Sequence, residues 1–313
     1  MKARLAYIMI SAWAALFCSP PSAAHHELDL LYGHENGFVT IMQPQVHPVR
    51  RMVSPQPNNY ALDVGVDFFV PDGWMQPMLQ RCRMQQVWIS PGLVGSKSGV
   101  GVVFSAGATR NYFDLPYGGT PHHHFIFASS APGVYVFDLK ATQAVDHLGR
   151  PLAEMPFVYR IYMVAGSPMQ LYGNVQPSRW YNGSLYDLML RVRVLQGASE
   201  VGRSEQPVNP WAIYPYLVGF NITGNVQVVA KLQKHLSVKI ARSLSGSQRV
   251  DWSFAVLGDT NEDDRIDETD LAQVTQSFAT NHPAADLTGD GQVNLDDLLT
   301  VLVHYGQSGE DVR

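Results

Sequence analysis

Two stretches near the C-terminal end place oxygen-bearing side chains at the same positions of a twelve-residue frame. The first carries Asp259, Asn261, Asp263, Asp267 and Asp270, and the second Asp286, Thr288, Asp290, Asn294 and Asp297. A hard divalent cation takes six to eight oxygens, and a short loop folding back on itself offers alternate side chains plus the backbone carbonyl of its seventh residue. Those carbonyls belong to Arg265 and Gln292. The spacing is that of a calcium loop, and its repetition predicts two calcium ions. Position six separates the loops: Gly291 stands in the second, whereas Asp264 stands in the first. A turn suited to glycine costs on the order of 1 kcal/mol more to close on another residue, so the first site is expected to be the weaker.

An ordinary calcium loop of this kind is entered from a helix, and neither of these is. Val250, Trp252, Phe254 and Val256 alternate with polar or small residues, a strand pattern that runs straight into Gly258. The residues before Asp286 are short and interrupted by Pro283. After each loop the period turns helical, with Leu271, Val274 and Phe278 following the first and Leu298, Leu299, Leu302 and Val303 the second. The unit is therefore loop then helix, twice. With Asp at position twelve, 258–307 resembles the type I dockerin module. The resemblance implies two calcium ions and a cohesin-like or other extracellular protein partner. Positions ten and eleven, which carry recognition in that family, read Glu268-Thr269 and Leu295-Asp296 in place of the usual small hydroxyl pairs.

Charge agrees with a cation-binding segment. From Gly258 onward there are 13 Asp or Glu against two Arg, while residues 25–257 carry 18 Lys or Arg against 14 acids. Repulsion so concentrated disfavours compaction unless cations neutralise it, yet the apolar helix positions call for burial.

At the other end, Lys2 and Arg4 precede an apolar run from Leu5 to Cys18 and the small residues up to Ala24. This is the pattern of a secretory signal peptide over residues 1–24, and it predicts a secreted, extracellular or cell-surface protein. No later stretch approaches the length of a membrane span, so membrane insertion is not expected. Past the cleavage point only Cys82 remains, which excludes an intramolecular disulfide.

Between signal and calcium loops the chain reads as β. Short apolar runs punctuated by Gly and Pro fall at 28–32, 38–42, 62–69, 84–89, 100–104, 122–127, 134–139 and 157–164. A second set falls at 170–175, 188–195, 214–220, 226–232, 236–240 and 250–256, in which Leu190, Val192 and Val194 alternate with Met189, Arg191 and Arg193. The expected fold is mainly β: two antiparallel β-sandwich domains, 25–168 and 169–257, then a small α-helical calcium module, 258–307, and a tail, 308–313. The segment His122 to Tyr135 and the opening His25 to Gly37 resemble the choice-of-anchor M family of bacterial surface proteins, which implies a surface role and metal contact. The second sandwich is similar to carboxypeptidase regulatory-like domains, which are non-catalytic spacers.

Histidine is the other chemical signal. On a strand His122 and His124 share one face, so a zinc or copper ion could take both, with His26 as a third ligand. The competing reading is a polar turn beside Thr120-Pro121. The chain has no G-x-S-x-G elbow, H-E-x-x-H pair or phosphate-binding glycine loop. Asp63, Asp67, Asp114 and Asp138 are scattered acids from which a glycosidase pair could be drawn, and Trp74, Trp88, Trp180 and Trp211 could stack sugars. Basic residues are too dispersed for nucleic acid. The expectation is a secreted non-catalytic protein that binds two calcium ions and docks to a surface partner. The alternative is a carbohydrate-active enzyme, a glycoside hydrolase or copper oxidase acting on polysaccharide, with the calcium module as an assembly tag.

Overall fold

The computed structural model describes residues 30–42, 49–68, 70, 76–116 and 122–310. The proposed signal peptide, His26 and Trp74 lie outside them. The protein is mainly β, with two helices near the C-terminal end, and divides into two compact units between Ser167 and Pro168.

In the first unit, a seven-stranded sheet runs in the order Phe38–Ile41, Leu30–Glu35, Asn59–Phe68, His123–Ser129, Val94–Lys97, Gly101–Ser105, with Val53–Gln56 also pairing Asn59–Phe68. The second sheet orders Val49–Arg51, Tyr159–Ala165, Gly133–Asp146, Leu79–Ile89 and Tyr112–Pro116. The two sheets share one core, to which Val64, Val66, Phe125 and Phe127 come from one and Met84, Phe137, Leu139, Ile161 and Met163 from the other. Alternation explains the division, since Phe125, Phe127 and Ser129 are buried while His124 is exposed on the opposite face. The opening hairpin closes on two residues, Asn36 and Gly37, at φ 51° and 84°. Both positive angles suit an Asn-Gly turn, so the strands extend closer to the turn than apolar content indicates.

The second unit sets Ser199–Pro207, Met189–Gln196, Gly224–Leu232 and Val238–Leu244 in one sheet, facing a three-stranded sheet of Tyr216–Phe220, Met169–Gly173 and Gln248–Arg249. Val175–Gln176 pairs with Trp252–Ser253. Leu190, Val192, Val194, Val228 and Ala230 from the first sheet meet Leu171, Val218 and Phe220 from the second.

Antiparallel pairing is not universal. Leu30–Glu35 runs parallel to Asn59–Phe68, Val49–Arg51 to Tyr159–Ala165, Met169–Gly173 to Gln248–Arg249, and Val175–Gln176 to Trp252–Ser253. Each parallel pair joins strands separated in sequence by others, which a local hairpin cannot connect. The strand expected over 250–256 is correspondingly short, because only Trp252–Ser253 forms a ladder there.

Beyond Trp252 the core does not stop. Phe254 and Leu257 continue it into Ile266, Val274, Ala285, Leu287, Val293 and Val301, so sandwich and helices are packed around one apolar cluster. The helices span Glu268–Gln276 and Leu295–His304, and none among the described residues is long and apolar enough to cross a membrane.

Candidate metal centre

Each loop winds its backbone around its own carboxylates. In the first, Asp263 accepts the N–H of Arg265 at 3.0 Å, and Asp270 accepts those of Thr260 at 2.7 Å and Asp267 at 2.9 Å. In the second, Asp290 accepts the N–H of Gln292 at 2.9 Å, and Asp297 those of Thr288 at 2.9 Å and Asn294 at 2.8 Å. The position-one acids take the N–H of position six, Asp264 to Asp259 at 2.8 Å and Gly291 to Asp286 at 3.0 Å.

The ninth residues start the helices. Asp267 and Asn294 are N-caps whose side chains accept the N–H groups of Thr269 and Asp296, while Asp270 and Asp297 reach back to close capping boxes. A cap of this kind contributes about 1 kcal/mol and fixes the twelfth residue over the loop. Sequence spacing thus sets the helix starts, with Asp267 and Asn294 as caps.

One atom of the first loop calls for a cation, although among the described residues neither loop gathers three acids into a group that could hold a metal ion. Asp259 is fully buried, its Oδ2 is engaged, and its Oδ1 is buried with no hydrogen-bond partner. A carboxylate oxygen desolvated in that way is costly unless a cation takes it. Burial pushes the Asp259 carboxyl up to about 6, against the opposing pull of Lys231. Asn261, Asp263 and Asp267 of the first loop, and Thr288, Asp290 and Asn294 of the second, carry the other side-chain oxygens of the two frames. Asn261 and Asp263 already touch, Nδ2 to Oδ2 at 3.1 Å, as do Asn294 and Asp290 at 2.9 Å.

Residues outside the loops hold them in place, and spacing gave no hint of these. Lys231 brings its ammonium to Asp259 and, at 3.3 Å, to Asp264. Asp264, at φ 71°, occupies the left-handed region foreseen at position six, but its carboxylate also accepts the N–H and hydroxyl of Ser237 at 2.6 Å and 2.5 Å. Two residues of the stretch set apart as a tail are bonded into the unit: Gly309 donates its N–H to the Asp264 carbonyl at 2.8 Å and Glu310 to that of Ser237 at 3.3 Å. The second loop sits on the turn at Asn182-Gly183. Asn182 donates to the Thr288 carbonyl at 2.7 Å, and a Cβ on Gly289 would lie 2.8 Å from Gly183 Cα.

The helix faces differ from the expected pattern. Val274 and Val301 are the fully buried helical apolars, whereas Leu299, Leu302 and Val303, read as a burial stripe, are exposed together with Leu295 and Phe278. The period locates apolar residues on a helix but not which neighbour covers them.

The histidine pair belongs to the first unit, with His124 on the strand His123–Ser129 and His122 immediately before it. His122 and His124 are edge to face at 4.5 Å between ring centroids; Nδ1 of His122 is 3.3 Å from Asp67 and Nδ1 of His124 is 2.8 Å from Asp63. His123 points to the other side, against Phe113, and burial lowers it to about 4. Among the described residues no group of three or more His, Cys, Asp or Glu could hold a metal ion between them, and zinc or copper finds no support there. The other scattered acids are paired as well, Asp114 with Arg83 and Asp138 with Arg160. A hollow of about 500 Å³ in the first unit is bordered by Gln76, Gln80, Arg81 and His147, and no carboxylate borders it among the described residues.

Comparison with known proteins places one family match, in the second unit. Residues 257–303 match the family described as dockerin type I domain, whose members generally bind calcium. Among solved structures, the chain is similar to one from the type II cohesin–X-dockerin complex of Acetivibrio cellulolyticus, at 16% identity over 47% of this chain and 99% of that one, with a TM-score of 0.34. It is also similar to BcpA, the major pilin subunit of Bacillus cereus, at 7% identity over 66% of this chain and 67% of that one, with a TM-score of 0.21. No curated protein matches.

Proposed function

We propose that this is a secreted, non-catalytic attachment protein whose C-terminal dockerin-like module binds two calcium ions and docks a cohesin-like module of an extracellular or surface protein. The first ion would be held by Asp259, Asn261, Asp263, the Arg265 carbonyl, Asp267 and Asp270. The second would be held by Asp286, Thr288, Asp290, the Gln292 carbonyl, Asn294 and Asp297. The family match at 257–303 and the two oxygen-lined loops support this reading. The observation that carries the docking role is the exposed apolar row on the second helix, Leu295, Leu299, Leu302 and Val303, each between 42% and 57% exposed. Four large aliphatic side chains on one short helix are what a partner covers, since burying each is worth about 1.5–3 kcal/mol. The first helix is more polar, presenting Glu268, Thr269, Ala272, Thr275 and Gln276 to solvent, so the second is read as the main contact. The signal-like residues 1–24 support export.

The test is binding of the full chain to a purified cohesin module by calorimetry, in calcium and in excess chelator. Binding in calcium alone, weakened at least tenfold by Leu299→Asp, is the expected result. Binding that persists in chelator, or polysaccharide breakdown by the same preparation, would replace attachment with the carbohydrate-active reading.

A further inference from the structure

The two loops are neutralised by different means. Lys231 lies in the strand Gly224–Leu232, outside the calcium module, and is buried. Its ammonium has three N–H groups and meets three acceptors: the His235 carbonyl at 2.7 Å, Asp259 Oδ2, and Asp264 Oδ1 at 3.3 Å. Asp264 is in turn anchored by Ser237. In the second loop Asp286, Asp290 and Asp297 accept N–H groups from the loop itself, and among the described residues no ion pair reaches any of them. Lys234 comes nearest, and it donates to the Asp286 backbone carbonyl.

We infer that Lys231 is a built-in counter-cation of the first loop, which keeps that loop closed on the sandwich without calcium and leaves the second loop as the calcium-dependent half of the module. The inference rests on the calcium reading above and says how its two sites divide the work. Buried carboxylates need a positive partner to remain folded, and the first loop has one covalently supplied by the neighbouring sheet. The second loop has Lys234 beside Asp286 and Asp297, but that ammonium bonds to the Asp286 backbone carbonyl and pairs with no carboxylate, so the loop's acids are less completely neutralised until a cation arrives. The same ammonium, bound to an oxygen of Asp259, opposes a second positive charge beside it, which makes the first loop the weaker calcium site. Asp264 also gains a purpose: where glycine would only turn the chain, its carboxylate ties the loop to Lys231 and Ser237.

The experiment is hydrogen exchange on the full chain in excess chelator and again in saturating calcium. The amides of Thr260, Asp264 and Asp267, which donate to first-loop carboxylates, should exchange at least tenfold more slowly in chelator than those of Thr288, Gly291 and Asn294, and the gap should close in calcium. Lys231→Met should erase the difference in chelator. Ser237→Ala, which removes one hydroxyl and leaves the fold's apolar contacts, should narrow it. Equal exchange of the two loops in the unaltered protein without calcium overturns the inference even should Lys231→Met fail to fold, as does protection unchanged by that substitution. Calorimetric titration with calcium separates the two claims, because a chain that takes up no calcium defeats the site reading whatever the exchange pattern.

Discussion

His235 is fully buried between the rings of Tyr181 and Phe254, with Nε2 accepting the N–H of Ser178 at 3.1 Å. Burial first, then the nearby Lys231, Lys234 and His304, lower its titration to about 4 from an ordinary 6.5. The unfolded chain therefore takes up a proton that the folded one refuses between those values, and stability falls as pH drops through that window. Linkage puts the full loss on the order of 3 kcal/mol. Thermal unfolding of the full chain at fixed calcium should show a melting temperature that declines from pH 6.5 to 5, with a shallower decline in His235→Asn. In the first unit, Arg160 and Asp138 form a fully buried two-point ion pair, at 2.7 Å and 2.6 Å. Asp138→Ala removes the carboxylate from a buried guanidinium and should cost about 3–5 kcal/mol in denaturant unfolding. A loss below 1 kcal/mol would mean that water or another group replaces the carboxylate.

At the scale of elements, the second loop and its helix divide their apolar residues between core and surface. Leu287 and Val301 are fully buried, whereas Leu299 and Leu302 are exposed. Leu287→Ala should lower stability by about 2–5 kcal/mol. Leu299→Asp should leave the melting temperature nearly unchanged while weakening the partner. The loop-then-helix repeat was legible in sequence because every oxygen-bearing position lies within twelve residues and the helix caps are made by the same side chains. The helix faces were not, since apolar spacing is indifferent to whether a core or a partner does the covering. Nor were Lys231 and Ser237, which reach Asp259 and Asp264 across 28 and 27 residues. The parallel strand pairs escaped for the same reason, because alternation fixes which side chains point inward but not which distant strand lies alongside.

Across the whole molecule, the helices and the sandwich of the second unit share an apolar cluster running from Leu171 to Val301. A fragment beginning at Gly258 would expose Ile266, Leu287, Val293 and Val301 on one side and lose Lys231 and Ser237. It should show little helix by circular dichroism even in calcium, while a fragment beginning at Pro168 should match the helicity of the full chain. Comparable helix in both would mean that the module carries a sufficient core of its own.

The parallel pairing of Val175–Gln176 with Trp252–Ser253, and of Leu171 and Tyr172 with Gln248 and Arg249, bears on mechanical load. Tension entering at Pro168 draws the earlier strand toward its start, and tension from a partner on the helices draws the later strand toward its end. Parallel strands pulled in those senses are sheared, so their hydrogen bonds bear the force together instead of parting one after another as in a hairpin being unzipped. Resistance to tension is a matter of unfolding rate rather than equilibrium stability. A module wired in this way would hold fast under drag even when its resting stability is ordinary.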